Sequence, residues 1–477
     1  MTGGNRRFGW LLAAAMLPAS CMVGPNYHRP DVPVAPQYKE LAGWTAAAPA
    51  DAAPKGDWWT DFHDDLLDQL EPLVAISNQT VRQDYFNYQA ALAEVKLAQS
   101  ELFPTIGLTG SATRSGGAGS ATTIRGSHVI NAGSLEATAS WTLDLWGQVR
   151  RLVEENKATA QADEATLANA TLSEQSLLAT TVIDLRLADA NIDLERTTVD
   201  AYRASLAVTE SQGASGIAAT PPSAVIAARV ALETAQASLI SLGVARAQYV
   251  HAIAVLVGKN PEDLDIPHSP TIPSLPAVPA GVPSTLLQRR PDIAAAERTM
   301  AAENAAVGVA VAAYYPTLSL SAAAGFSQSP LDGLLHAGNH VWSLGASASE
   351  TLIDFGYRHA EVLAAKAAYE GAVASYRSTV LNAFQDVEND LSNLTILADE
   401  AQALEVAVAD AKRGTQIALD EYQAGTVDYT TVAAAQEAQL ADQQSALSVE
   451  QSRLVDAVSL ITDLGGGWST SQLHDPN

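Results

Sequence analysis

Chemistry in this chain has few places to start. Cys21 is the only cysteine among 477 residues, which excludes an intramolecular disulfide or a cysteine-based metal site. It follows Ala19-Ser20, so removing everything before it would make it the first residue, where a lipid can be attached. His336 and His340 stand four apart, a spacing that could share a metal on a helix, but their stretch is rich in glycine and offers no third ligand nearby. No Gly-x-Ser-x-Gly, His-Glu-x-x-His, phosphate-loop or dinucleotide fingerprint occurs. Acidic residues number 53, and no pair stands out for acid–base work. The expectation is no enzyme, no cofactor and no metal.

The elements that carry so little chemistry must therefore act by shape. Arg6 and Arg7 precede an apolar run from Phe8 to Leu17 and the small residues Ala19-Ser20, which predicts a secretory signal over residues 1–20. Beyond it, no window of about 18 residues is expected to be apolar enough for a lipid-facing helix. The chain is thus read as exported, with any membrane crossing left to strands. Pro18 stands where a bacterial lipobox carries an aliphatic residue, whereas Met22 in place of Asp after the cysteine would, by resemblance to such lipoproteins, permit sorting to the outer membrane. A net charge of −26 and a pI near 4.6 argue against a nucleic-acid partner or a broad basic face for anionic lipid.

The chain states most of its pieces twice. Leu102-Phe103-Pro104-Thr105-Ile106 returns as Tyr314-Tyr315-Pro316-Thr317-Leu318, and Leu143-Asp144-Leu145-Trp146-Gly147 returns as Leu352-Ile353-Asp354-Phe355-Gly356. Gly216 is answered by Gly425. The repeat predicts one duplicated architecture: a lead segment over 21–72, a first copy over 73–260, a Pro-rich linker over 261–290, a second copy over 291–468 and a tail over 469–477.

Each copy reads as a strand pair followed by two long helices. From Leu135 to Leu145 the residues alternate without a break, with Leu135, Ala137, Ala139, Trp141 and Leu143 on one face and Glu136, Thr138, Ser140, Thr142 and Asp144 on the other. Strands are predicted over 105–114, 134–145, 317–326 and 341–352, long enough to cross a membrane at a tilt. Four strands cannot close a barrel, so a membrane location requires several chains to pool theirs. Trp141, Trp146, Tyr314, Tyr315 and Trp342 are then candidates for aromatic girdles.

Helices are predicted over 148–212, 222–257, 357–423 and 429–464. The run after Gly147 has no proline or internal glycine until Gly213, which gives a rod of about 100 Å. Leu440, Leu447, Leu454 and Ile461 repeat every seven residues, as do Val225, Leu232 and Leu239, a spacing suited to coiled-coil packing. Each copy thus sends strands into a membrane and a helical hairpin away from it.

Several motifs resemble the outer membrane factor family, the TolC-like channels, and within it the lipoprotein branch typified by OprM and NodT. They are Val23-Gly24-Pro25-Asn26-Tyr27-His28-Arg29-Pro30, Trp58-Trp59-Thr60-Asp61-Phe62, Leu286-Leu287-Gln288-Arg289-Arg290-Pro291-Asp292-Ile293-Ala294-Ala295-Ala296-Glu297, Tyr422-Gln423-Ala424-Gly425-Thr426 and Leu464-Gly465-Gly466-Gly467-Trp468. The resemblance spans Val23 to Trp468. It implies a membrane β-barrel continued by a long α-helical barrel and closed by homotrimerisation, with twelve strands and twelve helices. Its implied role is the exit duct of a tripartite efflux pump, with a periplasmic adaptor and an inner-membrane transporter of the RND class as partners, outer-membrane lipid around it, and Cys21 acylated. Arg290-Pro291-Asp292 itself also reads as an ordinary helix start.

The family closes its helix tips, which here are Ser211 to Pro222 and Ala424 to Asp428. Gly213, Gly216 and Gly425 would supply the turns, and Pro221-Pro222 would stiffen the groove that receives the adaptor. Tyr422 matches a tyrosine of tip bonding in the family or packs between hairpins, while Asp420, Glu421 and Asp428 would form cation-attracting rings if they face inward. Thr431 and Ala434 stand where relatives often carry pore aspartates, which weakens any carboxylate ring at that height. An exit duct for secreted polypeptides and a poreless coiled-coil scaffold are the competing readings.

Overall fold

The computed structural model describes residues 22–32, 37–40, 56–117, 128–215, 221–277 and 288–476. The signal segment, Cys21 and Gly216 lie outside the described residues.

Alternation of apolar and polar residues produces four strands: β1 (Thr105–Gly117), β2 (His128–Leu143), β3 (Thr317–Gln328) and β4 (His340–Ser349). They form one antiparallel sheet in the order β1-β2-β3-β4. The β2–β3 pairing joins the two copies, with Ala137 opposite Ala324 and Trp141 opposite Leu320. β2 ends at Leu143 and not at Leu145 because the next residue, Asp144, turns its carboxylate to the backbone N–H groups of Val149 and Arg150 at 3.1 and 3.0 Å. β4 likewise stops at Ser349 and not at 352, and Asp354 repeats the device on Gly356 and Arg358. A bond donated by the Arg358 side chain helps to hold the Asp354 carboxyl down at about 2.

The described residues also form seven α-helices: α1 (Asp65–Ser77), α2 (Gln79–Ser100), α3 (Gln148–Ala214), α4 (Pro222–Leu256), α5 (Pro291–Ala312), α6 (Tyr357–Gln423) and α7 (Tyr429–Asp463). The duplication is exact in length, with 67 residues in both α3 and α6, 35 in both α4 and α7, and 22 in both α2 and α5. Sequence reading did not separate out α2 and α5, the short helices that precede each strand pair. At 1.5 Å per residue the long members reach about 100 Å.

α2 and α4 pack along one side of α3, and α5 and α7 fill the space between α3 and α6. The stacked ends meet at glycines in the left-handed region, one per copy. A Cβ at Gly258 (φ +70°) would lie 2.2 Å from the Ser77 carbonyl oxygen, and one at Gly465 (φ +100°) 2.3 Å from that of Arg289. The wall is thus four helices wide at both levels.

One large core sits where these ends meet. Trp58, Trp59 and Phe62 join Leu67 and Val74 of α1, Leu178 and Ile183 of α3, Leu391 of α6 and Leu454 of α7. Asp64 caps α1 through the N–H groups of Leu66 and Leu67 and also holds Arg186 of α3 at 2.8 and 3.1 Å. Within that packed region Glu71 is fully buried with both carboxylate oxygens unpartnered, and burial pushes its carboxyl up to about 9.

The segment 22–32 is strapped to the junction of β2 and α3. Val23 donates its N–H to the Trp146 carbonyl at 3.1 Å, while the buried Arg151 guanidinium donates to the carbonyls of Val23 and Gly24 and to Asn26 Oδ1. The Tyr27 hydroxyl bonds Glu297 and the Arg29 side chain donates to the Tyr376 hydroxyl at 2.7 Å. Two of the sequence motifs therefore touch each other.

One expectation is corrected. α4 contains an 18-residue window with mean hydropathy 1.5, apolar enough by composition to cross a membrane. It instead packs along α3, burying Ala228, Leu232 and Ala235, while Ile226, Val230, Ile240 and Val244 stay exposed on its outer side.

Candidate pore wall and closing tip

The candidate residues gather at two ends of the molecule. At the upper end the sheet presents an apolar face carrying Ile106, Leu108, Trp342 and Leu344 and an opposite face dominated by serine, threonine and glycine. Aromatic side chains mark its foot: Trp146 stacks on Tyr315 at 4.9 Å and donates to the Pro316 carbonyl, and Trp141 donates to the Leu102 carbonyl at 3.0 Å. Arg358 lies over the Tyr314 ring at 5.3 Å. Trp342 sits near the other end of the strands, two residues from His340, whose ring meets Phe326 edge-on. Of the histidine pair, His336 donates its N–H to the Gly333 carbonyl, and among the described residues no group of three or more His, Cys, Asp or Glu could hold a metal.

At the lower end the hairpins α3–α4 and α6–α7 turn. Tyr422, in the last turn of α6, is 1% exposed, and its hydroxyl donates to Thr209 Oγ1 of α3 at 3.1 Å. Thr209 passes a bond to the Ser205 carbonyl at 2.8 Å, and Gln436 of α7 donates to Ser205 Oγ at 3.0 Å. Gln212 donates to the Tyr422 carbonyl. Tyr429 packs edge-on against Tyr422 at 5.8 Å. Its buried hydroxyl has no partner, and burial pushes it up to about 12. A tyrosine so shifted stays neutral at any pH the exported chain meets.

The acidic residues of the tip lie outside this cluster. Asp420, Glu421 and Asp428 are exposed; Asp420 accepts a bond from Gln416, and Asp428 is the residue before α7. Gly425 takes φ +73° to make the turn, Gly213 lies in the last turn of α3, and Pro221 and Pro222 open α4. Thr431 and Ala434 are exposed on α7. The structure thus brings Tyr422 together with Thr209, Ser205, Tyr429 and Gln436, none of which sequence reading singled out. A hydroxyl-bearing residue on one helix gives no signal of its partner two hundred residues away.

The architecture of strand pair, long hairpin, strand pair, long hairpin matches a known protein family over most of its length. The model of the outer membrane efflux protein family aligns with residues 72–259 and 282–466. This chain belongs to that family.

Other outer membrane efflux proteins resemble it from end to end. The probable efflux pump outer membrane protein TtgC of Pseudomonas putida is 29% identical over 461 residues, covering 96% of this chain and 95% of that protein. The cation efflux system protein CusC of Escherichia coli is 29% identical over 463 residues, covering 95% and 97%. Among solved structures, the outer-membrane channel OprN superposes with a TM-score of 0.87 at 29% identity, covering 94% of this chain and all of that one. The Campylobacter jejuni CmeC outer membrane channel gives 0.88 at 23% identity, covering 95% and 96%, a likeness of fold. The fold is TolC-like, and the chain is an outer-membrane efflux channel.

Proposed function

We propose that three copies of this chain assemble into the passive exit duct of a tripartite pump for small molecules. A periplasmic adaptor and an inner-membrane transporter of the RND type supply the drive, and Cys21 carries the lipid that anchors the chain in the outer membrane. The observation that carries this reading is a matched incompleteness. The sheet has open edges at β1 and β4, and the helical wall has exposed apolar residues on both outer members: Ile226, Val230, Ile240 and Val244 on α4, and Leu381, Ile396, Val406 and Ile417 on α6.

A sheet edge in lipid leaves backbone groups unsatisfied, each costing several kcal/mol, so β1 must meet the β4 of another copy. Three copies give twelve strands above and twelve helices abreast below. Tyr422 and its bonded partners hold the tip together, the exposed Asp420, Glu421 and Asp428 add negative charge around it, and Gly213, Pro221, Pro222 and Gly425 shape the turns that meet the adaptor. The names of the relatives extend from toluene to cations, which fits a duct whose selection lies in its pump.

Purified full-length protein in planar bilayers tests the reading. Discrete conductance steps from a species that migrates as a trimer are the expected result. A detergent-free monomer that conducts nothing would sink it.

A further inference from the structure

We infer that Glu136 sets the charge selectivity of the strand-lined part of the pore, an inference that rests on the trimeric duct proposed above. Within the four strands the only Asp, Glu, Lys or Arg residues are Arg114 and Glu136. Strand alternation separates them. Glu136 shares a face with Thr138, Ser140 and Thr142, whereas Arg114 shares the apolar face of Ile106 and Leu108, five rows nearer the far end.

The register fixes what surrounds the carboxylate. Thr109, Glu136, Gly325 and Val341 form one row across the sheet. Thr109 on one side donates its hydroxyl to the Glu136 backbone carbonyl at 3.3 Å. On the other side Gly325 leaves space that the Glu136 side chain crosses, since a Cβ there would lie 2.9 Å from Glu136 Cγ. Among the described residues no hydrogen-bond donor or cation reaches the Glu136 carboxylate. The neighbouring rows carry Ser134 and Ser327 above, and Thr138, Ala323 and Ser343 below, all uncharged.

A polar face cannot be turned to hydrocarbon when an apolar one is available, so Glu136 faces the lumen. Twelve strands spaced about 4.8 Å and tilted about 40° enclose a radius of about 12 Å. A glutamate leaning across Gly325 keeps its charge about 10 Å from the axis, comparable to the Debye length of about 8 Å at physiological salt. Three such charges, uncompensated by any other carboxylate, lysine or arginine on the polar face of the four strands, favour cations and disfavour anions in the cross-section. Dilute salt widens their reach to about 30 Å.

The test is the reversal potential of purified full-length channels in planar bilayers under a tenfold KCl gradient, 10 against 100 mM at the outset. E136Q, a polar-face change that keeps the side chain's size, is expected to lower the cation-to-anion permeability ratio at least about twofold, and S140E, which adds a second ring four rows away on the same face, to raise it. Both differences should vanish near 1 M salt. An E136Q channel that conducts with an unchanged ratio overturns the assignment of Glu136 alone. A wild-type protein that never conducts overturns the duct itself, and the assignment with it.

Discussion

The Tyr422 hydroxyl donates to Thr209 Oγ1 across the interface between α6 and α3, beside the bond that Gln212 of α3 donates to the Tyr422 carbonyl. It ties the second hairpin to the first within one subunit. A tip that opens by splaying its hairpins has to break it.

A single neutral buried bond contributes about 1 kcal/mol. The prediction is that Tyr422→Phe raises the open fraction about fivefold, read as open probability in planar bilayers. Thr209→Val should do the same, and the double variant should add little to either single one, because both remove the same bond. Additive effects would place the two residues in separate contacts.

Glu71 predicts an unusual pH response. Its carboxyl is held up at about 9 in the fold from an ordinary value of 4.5, so the folded chain keeps a proton that the unfolded chain releases. Stability is full below about pH 4.5, falls as pH rises towards 9 and is level above. Glu71→Gln should abolish this slope, raising the melting temperature at pH 8.5 and leaving it nearly unchanged at pH 4.5. Equal shifts at both values would show that the carboxyl does not titrate in that window.

Asp64 serves two partners at once, the first turn of α1 and the Arg186 guanidinium, with side chains 4% and 10% exposed in the pair. Asp64→Ala is predicted to cost about 3–5 kcal/mol because it strands a buried cation. Asp64→Asn retains the cap and should cost visibly less. Denaturant midpoints of the two variants, compared with wild type, check the order.

The strap at residues 22–32 depends on close backbone approach. A Cβ on Gly308 would sit 2.7 Å from Arg151 Cδ, and one on Gly24 2.5 Å from Gly308 Cα. Gly308→Val should therefore push Arg151 off its carbonyl partners and expose the strap to limited proteolysis, while leaving the helices protected. A cleavage pattern identical to wild type would show that the strap is held elsewhere.

Much of this fold is legible in the sequence. The alternation in β2 names its two faces because the side-chain period of a strand is two, and the long proline-free runs name the rods because nothing in them can stop a helix. The repeats at Asp144 and Asp354 mark a helix start whose carboxylate cap is local. The strap was visible only as a motif: Gly24 and Gly308, or Tyr27 and Glu297, are joined by folding across 270 residues or more, and no local pattern encodes that. α2 and α5 escaped because their sequences read as continuations of the approach to the strands. The expectation of no apolar window overlooked α4, because an apolar stripe awaiting a neighbouring rod has the composition of one awaiting lipid.

Under the proposed assembly, the open borders of the sheet at β1 and β4 also govern the order of biogenesis. A solitary copy has nowhere to hide its strand rims, so insertion one chain at a time would strand bare amides in oil. Recruitment must come first and burial second, with the helical stems giving newly exported chains something water-soluble to recognise in one another. Delivery to the bilayer is then a collective event.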